Sequence, residues 1–238
     1  MPNRKATGPT RVFVVAGQSN AVGLAELIEQ ELARRRGPGF RIVHVAEGGT
    51  PLVNAPYCRA SWHPERRGEM YDRLMQEARK VRDEVAAGGG KAVFPAMFWI
   101  QGEQDTKTDN RGNAPGATSL PPPPQPLAAS SYEANLRCLI AAVRRDLRAP
   151  EMAFIIATTP VGEPPDFVLG GSKHAGTPQV LAAQAAVARS TPFAVLAPTD
   201  RFARAPDQVH LSAEGGAALA AAMVRAYEAL AGEGGEAS

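Results

Sequence analysis

A chain of 238 residues, 44% of them hydrophobic, is long enough to bury a substantial core and suits one large α/β domain. Its 26 Lys and Arg residues against 24 Asp and Glu residues give a net charge near +2, which excludes the strongly basic character of a nucleic-acid-binding protein. No stretch of the sequence is apolar for long enough to span a membrane, and the first residues lack the apolar region of a secretion signal. We therefore expect neither a membrane nor a nucleic-acid partner, and a cytoplasmic location.

Short apolar runs alternate with segments of helical periodicity along the chain. The first run, rich in valine, is typical of a buried parallel strand and ends in a small, polar turn. Four further runs predict strands, and segments with hydrophobic residues three and four positions apart predict a helix after each strand. The five predicted strands cover residues 12–17, 40–46, 92–100, 152–157 and 193–197.

This alternation predicts a three-layer α/β/α sandwich with a five-stranded parallel sheet, flavodoxin-like in organisation, because right-handed crossovers place helices on both faces of the sheet. We expect a single domain over residues 1–238, with its core at about 11–230. Two irregular stretches, 107–131 and 160–176, interrupt the pattern. The first contains four consecutive prolines, and since the alternation resumes beyond it we interpret it as a loop rather than a linker. A lid is the preferred role, with a dimer contact or a disordered segment as alternatives.

Local signals predict two helix starts and two capping carboxylates. Thr177 is predicted to cap a helix that begins at Pro178, and Ser212 to cap the last helix. Asp105 and Asp200 follow strands, where aspartates often accept hydrogen bonds from neighbouring backbone amides. These four residues are therefore expected to be structural.

Polar turns follow the predicted strands at residues 17–20, 47–50, 101–105 and 200–210. In a parallel sheet the carboxyl ends of the strands share one edge, so residues that are remote in sequence can converge there. The four turns together offer a serine, glycine amides, a glutamine, carboxylates and a histidine. These are the components of an acyl-transfer site, namely a nucleophile, a base, an orienting acid and oxyanion donors.

Ser19 is the candidate nucleophile, although a serine in this position can instead simply cap the following helix. His210 is the natural base, because Asp207 lies three residues before it and can hold the second nitrogen of its ring. The other three histidines lie in a strand, an aromatic loop and a glycine-rich loop, and fit this role less well: His44, His63 and His174. The two cysteines, Cys58 and Cys138, match no zinc or redox spacing, and whether they pair stays open.

Three short motifs contain these residues: AGQSN at 16–20, WIQGEQD at 99–105 and DQVHL at 207–211. Two further stretches, 47–52 and 61–71, lie between the first and the second. In this order the five segments resemble the sialate O-acetylesterase domain, a group that includes the carbohydrate esterase family 6 acetylxylan esterases within the SGNH hydrolase superfamily. The resemblance covers roughly residues 11 to 230.

The resemblance implies roles for individual residues. Ser19 is the expected nucleophile and His210 the general base. Either Asp207 or Glu103 can be the acid that orients the base, and we prefer Asp207, with Glu103 as a second contact to the ring.

The resemblance also implies an oxyanion hole made of the backbone amides of Ser19 and Gly49 and the side-chain amide of Gln101. Two alternatives stay open here: Gly49 can merely form a tight turn, and Gln101 and Glu103 can belong to a buried polar network below the site. Three residues are expected to contact the substrate: Gln18, Asn20 and Trp62. Trp62 either stacks on a sugar ring or packs in a satellite cluster. No metal or other cofactor is expected.

The sequence therefore predicts a carboxylic ester hydrolase that removes O-acetyl or other short acyl groups from a carbohydrate or related small molecule. One alternative is a general esterase, thioesterase or lipid acyl hydrolase with the same triad. Another is a non-catalytic carbohydrate-binding protein that has kept the fold. The identity of the sugar, the acetylated position and the oligomeric state do not follow from the sequence.

Overall fold

The computed structural model describes residues 8–54, 60–107, 127–159, 174, 176–207 and 209–233, and strands and helices alternate along them. The strands are β1 (Thr10–Gly17), β2 (Phe40–Ala46), β3 (Ala92–Val93), β4 (Ala96–Ile100), β5 (Ala153–Ala157) and β6 (Ala194–Ala197). The helices are α1 (Ser19–Val22), α2 (Leu24–Arg36), α3 (Met70–Ala87), α4 (Leu127–Leu147), α5 (Thr177–Ser190) and α6 (Ala213–Glu233).

The strands form one parallel sheet in the order β2-β1-β4-β5-β6, with the short β3 pairing with the start of β1. The chain runs outward from β1 to β2 and then continues on the other side of β1. The strand order therefore reverses next to β1, and open α/β sheets bind their ligands at the carboxyl ends of the strands at such a point. This confirms the predicted doubly wound α/β/α architecture.

The third predicted strand is interrupted, so the sheet has six strands rather than five. Residues 94 and 95 separate β3 from β4. Pro95 has no N–H and cannot donate to a sheet ladder, which explains the break. Its carbonyl still accepts a hydrogen bond from the N–H of Ala153, 2.9 Å away, so β4 and β5 remain in register.

Side chains of β1 alternate between two hydrophobic cores, one on each face of the sheet. Val12 and Val14 contribute to the core beneath α3, α4 and α5, whereas Phe13 and Val15 contribute to the core beneath α2 and α6. All four are fully buried. A strand that is covered on both faces has no solvent-facing positions, and this explains why its sequence is continuously apolar.

The first irregular stretch, predicted at 107–131, is shorter than predicted at its C-terminal end. Helix α4 begins at Leu127, so residues 127–131 are helical rather than irregular. Residues 108–126 and 160–173 lie outside the described part of the chain, and the prediction that the first stretch forms a lid stays a prediction.

Of the two predicted helix caps, the structure has Ser212 in the predicted position and Thr177 in a different one. The Ser212 hydroxyl accepts a hydrogen bond from the N–H of Gly215 at 3.1 Å, which confirms it as the cap of α6. Thr177, by contrast, is the first residue of α5, and Gly176 occupies the capping position. The Thr177 hydroxyl donates instead to the carbonyl of His174 at 2.7 Å, because the chain reaches α5 through a tight turn.

Cys138 on α4 is partly exposed and forms no disulfide with another of the described residues. Cys58 lies outside the described residues, so the question of a disulfide between the two stays open. Among the helices that the structure describes, none is both long and apolar enough to cross a bilayer.

Candidate active site

A sharp turn after β1 brings Ser19 to the carboxyl edge of the sheet. Gly17 has a φ of +151°, and a Cβ atom built on it would lie 1.9 Å from the carbonyl oxygen of Ile100 on the neighbouring strand. Only glycine fits both the backbone conformation and the close approach. The chain continues through Gln18, whose N–H donates to the same carbonyl at 3.0 Å, into α1, which Ser19 begins.

Ser19, His210 and Asp207 form a continuous hydrogen-bonded chain. The Ser19 Oγ lies 2.9 Å from Nε2 of His210, and the His210 Nδ1 lies 2.5 Å from Oδ2 of Asp207. An aspartate that accepts the proton of Nδ1 leaves Nε2 without one, so that Nε2 can take the proton of the serine hydroxyl. The structure thus brings together three predicted residues from the two ends of the chain in the geometry of a nucleophile, a base and an orienting acid.

Asp207 is held as a carboxylate by local hydrogen bonds. Its Oδ1 accepts the backbone N–H groups of Val209 at 3.0 Å and of His210 at 2.9 Å. Partial burial raises the pKa of Asp207, but the hydrogen bonds from the His210 ring and from the two N–H groups outweigh it, and the net pKa is lowered. A carboxylate at this position accepts the hydrogen bond from Nδ1 of the His210 ring.

Glu103 was expected to be a second contact to the ring of His210, but no hydrogen bond between the two is described. Its side chain is 1% exposed, Oε1 accepts a hydrogen bond from Nδ2 of Asn20 at 2.5 Å, and Oε2 has no hydrogen-bond partner among the described residues. Burial raises the pKa of Glu103. The carboxylate that holds the His210 ring is therefore Asp207.

The turn that contains Gly49, whose backbone amide is predicted for the oxyanion hole, lies beside Ser19. Gly49 has a φ of +75°, in a turn that follows β2. A Cβ atom on its neighbour Gly48 would be 3.7 Å from Cβ of Ser19, so the turn packs directly against the serine. The N–H of Ser19, as the first residue of α1, has no intrahelical acceptor, and among the described hydrogen bonds none uses the N–H of Gly49. Neither N–H donates to an acceptor among the described residues.

Gln101 differs from its predicted role as the third oxyanion donor. Its Nε2 donates to the carbonyl of Thr50 at 3.2 Å and to Oδ2 of Asp105 at 2.5 Å, and its Oε1 accepts from the hydroxyl of Tyr132 at 3.0 Å. Both amide protons are thus used, and the side chain is 1% exposed. The buried carboxylate of Asp105 draws the amide into a polar network below the site, which was the alternative left open by the sequence.

Two of the predicted substrate contacts are also buried. Gln18 is 3% exposed, and its Oε1 accepts the N–H of Gln104 at 3.2 Å. Trp62 is completely buried: its Nε1 donates to Oγ1 of Thr50 at 2.9 Å, and its ring packs edge-on against Trp99 with the centroids 5.1 Å apart. Neither side chain is accessible to a sugar, so neither Gln18 nor Trp62 contacts the substrate as predicted. Trp62 packs in the core.

Buried hydrogen bonds of Thr106 hold the turn after β4, and the sequence did not predict them. The Thr106 hydroxyl donates to the carbonyl of Glu103 at 2.8 Å and lies 2.6 Å from Nδ1 of His174. Because the single hydroxyl proton is already used, Nδ1 of His174 must be the donor. No motif or periodicity in the sequence indicates this contact, since it joins two irregular segments.

Asp105 ties the turn after β4 to the segment that follows β2, as its expected capping role predicts. Its carboxylate accepts the N–H groups of Leu52 at 2.9 Å and of Val53 at 3.0 Å, in addition to the amide of Gln101. The side chain is fully buried, and this burial raises the pKa of Asp105 to about 7. The segment that contains Gly49 is thereby anchored to the floor of the site.

We expect the stability of the protein to fall as the pH rises from about 4 to 7. The folded protein binds the Asp105 proton more tightly than the unfolded chain, so the free energy of unfolding decreases between the usual pKa of an aspartate and the raised one. Asp105→Asn removes this titration, so its unfolding free energy from urea melts should vary less steeply with pH than that of the wild type. The exposed Asp83→Asn is the control and should keep the wild-type slope. Equal slopes for Asp105→Asn and the wild type would contradict the assignment.

Within the described residues there is no cluster of three or more His, Cys, Asp or Glu side chains suited to a metal ion. The arrangement that is present, a hydroxyl joined to an imidazole and a carboxylate beside free backbone amides, is suited to acyl transfer. A doubly wound parallel sheet with this site at its carboxyl edge has the fold of the SGNH hydrolases.

The chain belongs to the family of carbohydrate esterases described as sialic acid-specific acetylesterases, because the model of that family matches residues 29–229. This confirms the resemblance seen in the sequence and identifies the protein as a carboxylic ester hydrolase. The match begins after Ser19, so the assignment of the nucleophile rests on the geometry of the site. None of the curated proteins matches the sequence significantly.

Solved structures with the same fold come from plants, fungi and bacteria. A protein from Arabidopsis thaliana is similar with a TM-score of 0.66 and 18% identity, over 93% of this chain and 98% of the other. A carbohydrate esterase family 2 enzyme from Corynascus thermopiles (Myceliophthora fergusii) has a TM-score of 0.59 and 16% identity, over 96% and 68% of the two chains. A carbohydrate acetylesterase from Xanthomonas citri has a TM-score of 0.56 and 12% identity, over 92% and 56%.

Proposed function

We propose that the protein is a serine esterase that hydrolyses O-acetyl or other short acyl esters of a carbohydrate or related small molecule through an acyl-enzyme. The observation that carries this proposal is the hydrogen-bonded chain from Ser19 through His210 to Asp207. The class of substrate is supported by the family, whose description names sialic acid-specific acetylesterases.

In the first half of the reaction, Oγ of Ser19 attacks the ester carbonyl carbon while Nε2 of His210 takes the hydroxyl proton. The carbonyl oxygen becomes negatively charged and is bound by the N–H groups of Ser19 and Gly49, each donor of this kind being worth about 10²–10³-fold in turnover. The tetrahedral intermediate collapses, the bond to the alcohol oxygen breaks, and His210 gives its proton to the departing alcohol.

In the second half, a water molecule attacks the acyl group on Ser19. His210 accepts a proton from the water and then returns it to Oγ of Ser19 as the carboxylic acid leaves. Asp207 keeps the ring in one orientation and stabilises its positive charge in both halves. These steps require no metal ion or organic cofactor.

A fluorophosphonate probe tests the proposal, since it labels a serine that a neighbouring base has activated. Wild-type protein should be labelled, and Ser19→Ala and His210→Ala should not. Ser190→Ala, on the exposed end of α5, is the matched control and should label like the wild type. Labelling that survives in Ser19→Ala, or is absent from folded wild-type protein, would contradict the proposal.

The acyl specificity is measured separately with p-nitrophenyl esters of increasing chain length and with a peracetylated monosaccharide. A steep fall in kcat/KM beyond acetyl, together with release of acetate from the sugar, supports the proposed substrate class. Preference for long chains would favour the alternative of a lipid acyl hydrolase with the same triad.

A further inference from the structure

The side chain of Asn20 contacts the backbone on both sides of the base. Its Nδ2 donates to the carbonyl of Val209 at 3.2 Å, and its Oδ1 accepts the N–H of Leu211 at 3.0 Å. These two residues flank His210, and Asn20 itself directly follows Ser19 in α1. One amide therefore joins the helix that carries the nucleophile to the segment that carries the base.

The His210 segment depends on such contacts because it belongs to no helix or extended strand. The His210 carbonyl accepts the N–H of Ala205 at 2.8 Å, and a single antiparallel bridge joins Arg204 to Leu211. The His210 side chain is 43% exposed, so packing encloses only part of the ring. The position of the ring thus follows the position of the backbone at 209–211, and Asn20 holds that backbone against α1.

Glu103 fixes which way the Asn20 amide faces. An Asn side chain has a donor end and an acceptor end, and exchanging them would set the acceptor oxygen against the carbonyl of Val209 and the donor against the N–H of Leu211. Glu103 accepts from Nδ2 at 2.5 Å and so selects the orientation that suits both. The second oxygen of Glu103 has no described partner, so among the other described residues Asn20 is the one that donates a hydrogen bond to its carboxyl group.

We infer that Asn20 is a positioning residue that sets His210 against Ser19, with Glu103 orienting its amide, rather than a substrate contact as the sequence suggested. The inference rests on the proposed function, because it concerns how the serine is activated. Its consequence is that Asn20 affects the rate of acylation and leaves substrate affinity nearly unchanged.

The inference is tested by exchanging the donor and the acceptor between Asn20 and Glu103. Asn20→Asp removes the donors to Glu103 and Val209 and places two carboxyl groups in contact. We expect kcat for p-nitrophenyl acetate and the rate of fluorophosphonate labelling to fall about 10²-fold, the order of loss that follows a displacement of about 1 Å in a catalytic group. KM should change less than threefold, which corresponds to about 0.65 kcal/mol.

Adding Glu103→Gln to Asn20→Asp should raise the rate about tenfold above that of Asn20→Asp, because the Gln amide can donate to the new carboxylate. The recovery is partial, since the carbonyl of Val209 still lacks its donor. Glu103→Gln alone should lose less of the rate than Asn20→Asp, since its amide oxygen can still accept from Asn20. If Glu103 were instead the acid of the triad, Glu103→Gln alone would lose as much as Asp207→Asn. The thermal unfolding midpoint of every variant is measured to show that it is folded. If Asn20→Asp does not fold, Asn20→Ser is used instead, and the same fall in kcat is expected.

Two results would overturn the positioning role of Asn20: an unchanged kcat in folded Asn20→Asp, or a rise confined to KM. No recovery in the double variant would overturn the orienting role of Glu103. Each can occur while the wild type is still labelled at Ser19, so it would leave the proposed function intact. Failure of the wild type to label at Ser19 would instead refute the proposed function itself.

Discussion

Replacing Ser19 with alanine is expected to lower kcat for ester hydrolysis about 10⁶-fold, and replacing Asp207 with asparagine about 10⁴-fold. The alanine variant lacks the atom that attacks the ester. The asparagine variant keeps the shape of the triad but presents an amide to Nδ1 of His210, which favours the tautomer with a proton on Nε2, and that nitrogen can no longer accept the proton of Ser19.

Initial rates on p-nitrophenyl acetate measure both losses, and circular dichroism shows that the variants are folded. Asp200→Asn, which changes an exposed aspartate of the same region, is the matched control and should retain wild-type activity. A loss below tenfold in folded Asp207→Asn would mean that the contact of 2.5 Å between Asp207 and His210 has little catalytic weight.

Gly17→Ala is expected to prevent folding. The added methyl group would lie 1.9 Å from the carbonyl oxygen of Ile100, and neither β1 nor β4 can move away without breaking the centre of the sheet. We expect the clash and the unfavourable φ together to lower the free energy of unfolding by about 4 kcal/mol or more. The total for a typical domain is roughly 5–15 kcal/mol.

Gly23→Ala is the matched control for this prediction. Gly23 lies between α1 and α2 with a φ of −91°, and a Cβ atom there would meet no atom within 4 Å. Its urea midpoint should equal or exceed that of the wild type, whereas Gly17→Ala should be recovered unfolded or in aggregates. A soluble Gly17→Ala protein with a wild-type midpoint would contradict the tight packing at this turn.

The fold was predictable because the strands of a parallel sheet are buried on both faces. Their apolar runs stand out from the amphipathic helices, and the order of elements follows from the right-handed connections between them. Pro95 was the exception: the apolar run continues through it, and only the missing N–H divides the predicted strand in two.

The residues of the candidate site could be predicted where their role follows from the type of side chain. They could not where the role depends on whether the side chain is buried by residues distant in the sequence. Ser19, His210 and Asp207 lie in short motifs whose composition already suggests their chemistry. Gln101 and Trp62 lie in similar motifs, but their accessibility is decided by distant partners. The Gln101 amide donates both of its protons, to Asp105 and to Thr50, and the indole of Trp62 also donates to Thr50. Sequence spacing does not reveal these contacts.

The separation of Ser19 from His210 by 191 positions has a consequence for protein synthesis. At about 5–20 residues per second, the ribosome adds the histidine roughly 10 to 40 s after the serine. A nascent chain therefore carries the proposed nucleophile for most of translation without the base proposed to activate it. It becomes able to cleave esters only once the last part of the sheet and the segment before α6 have been made.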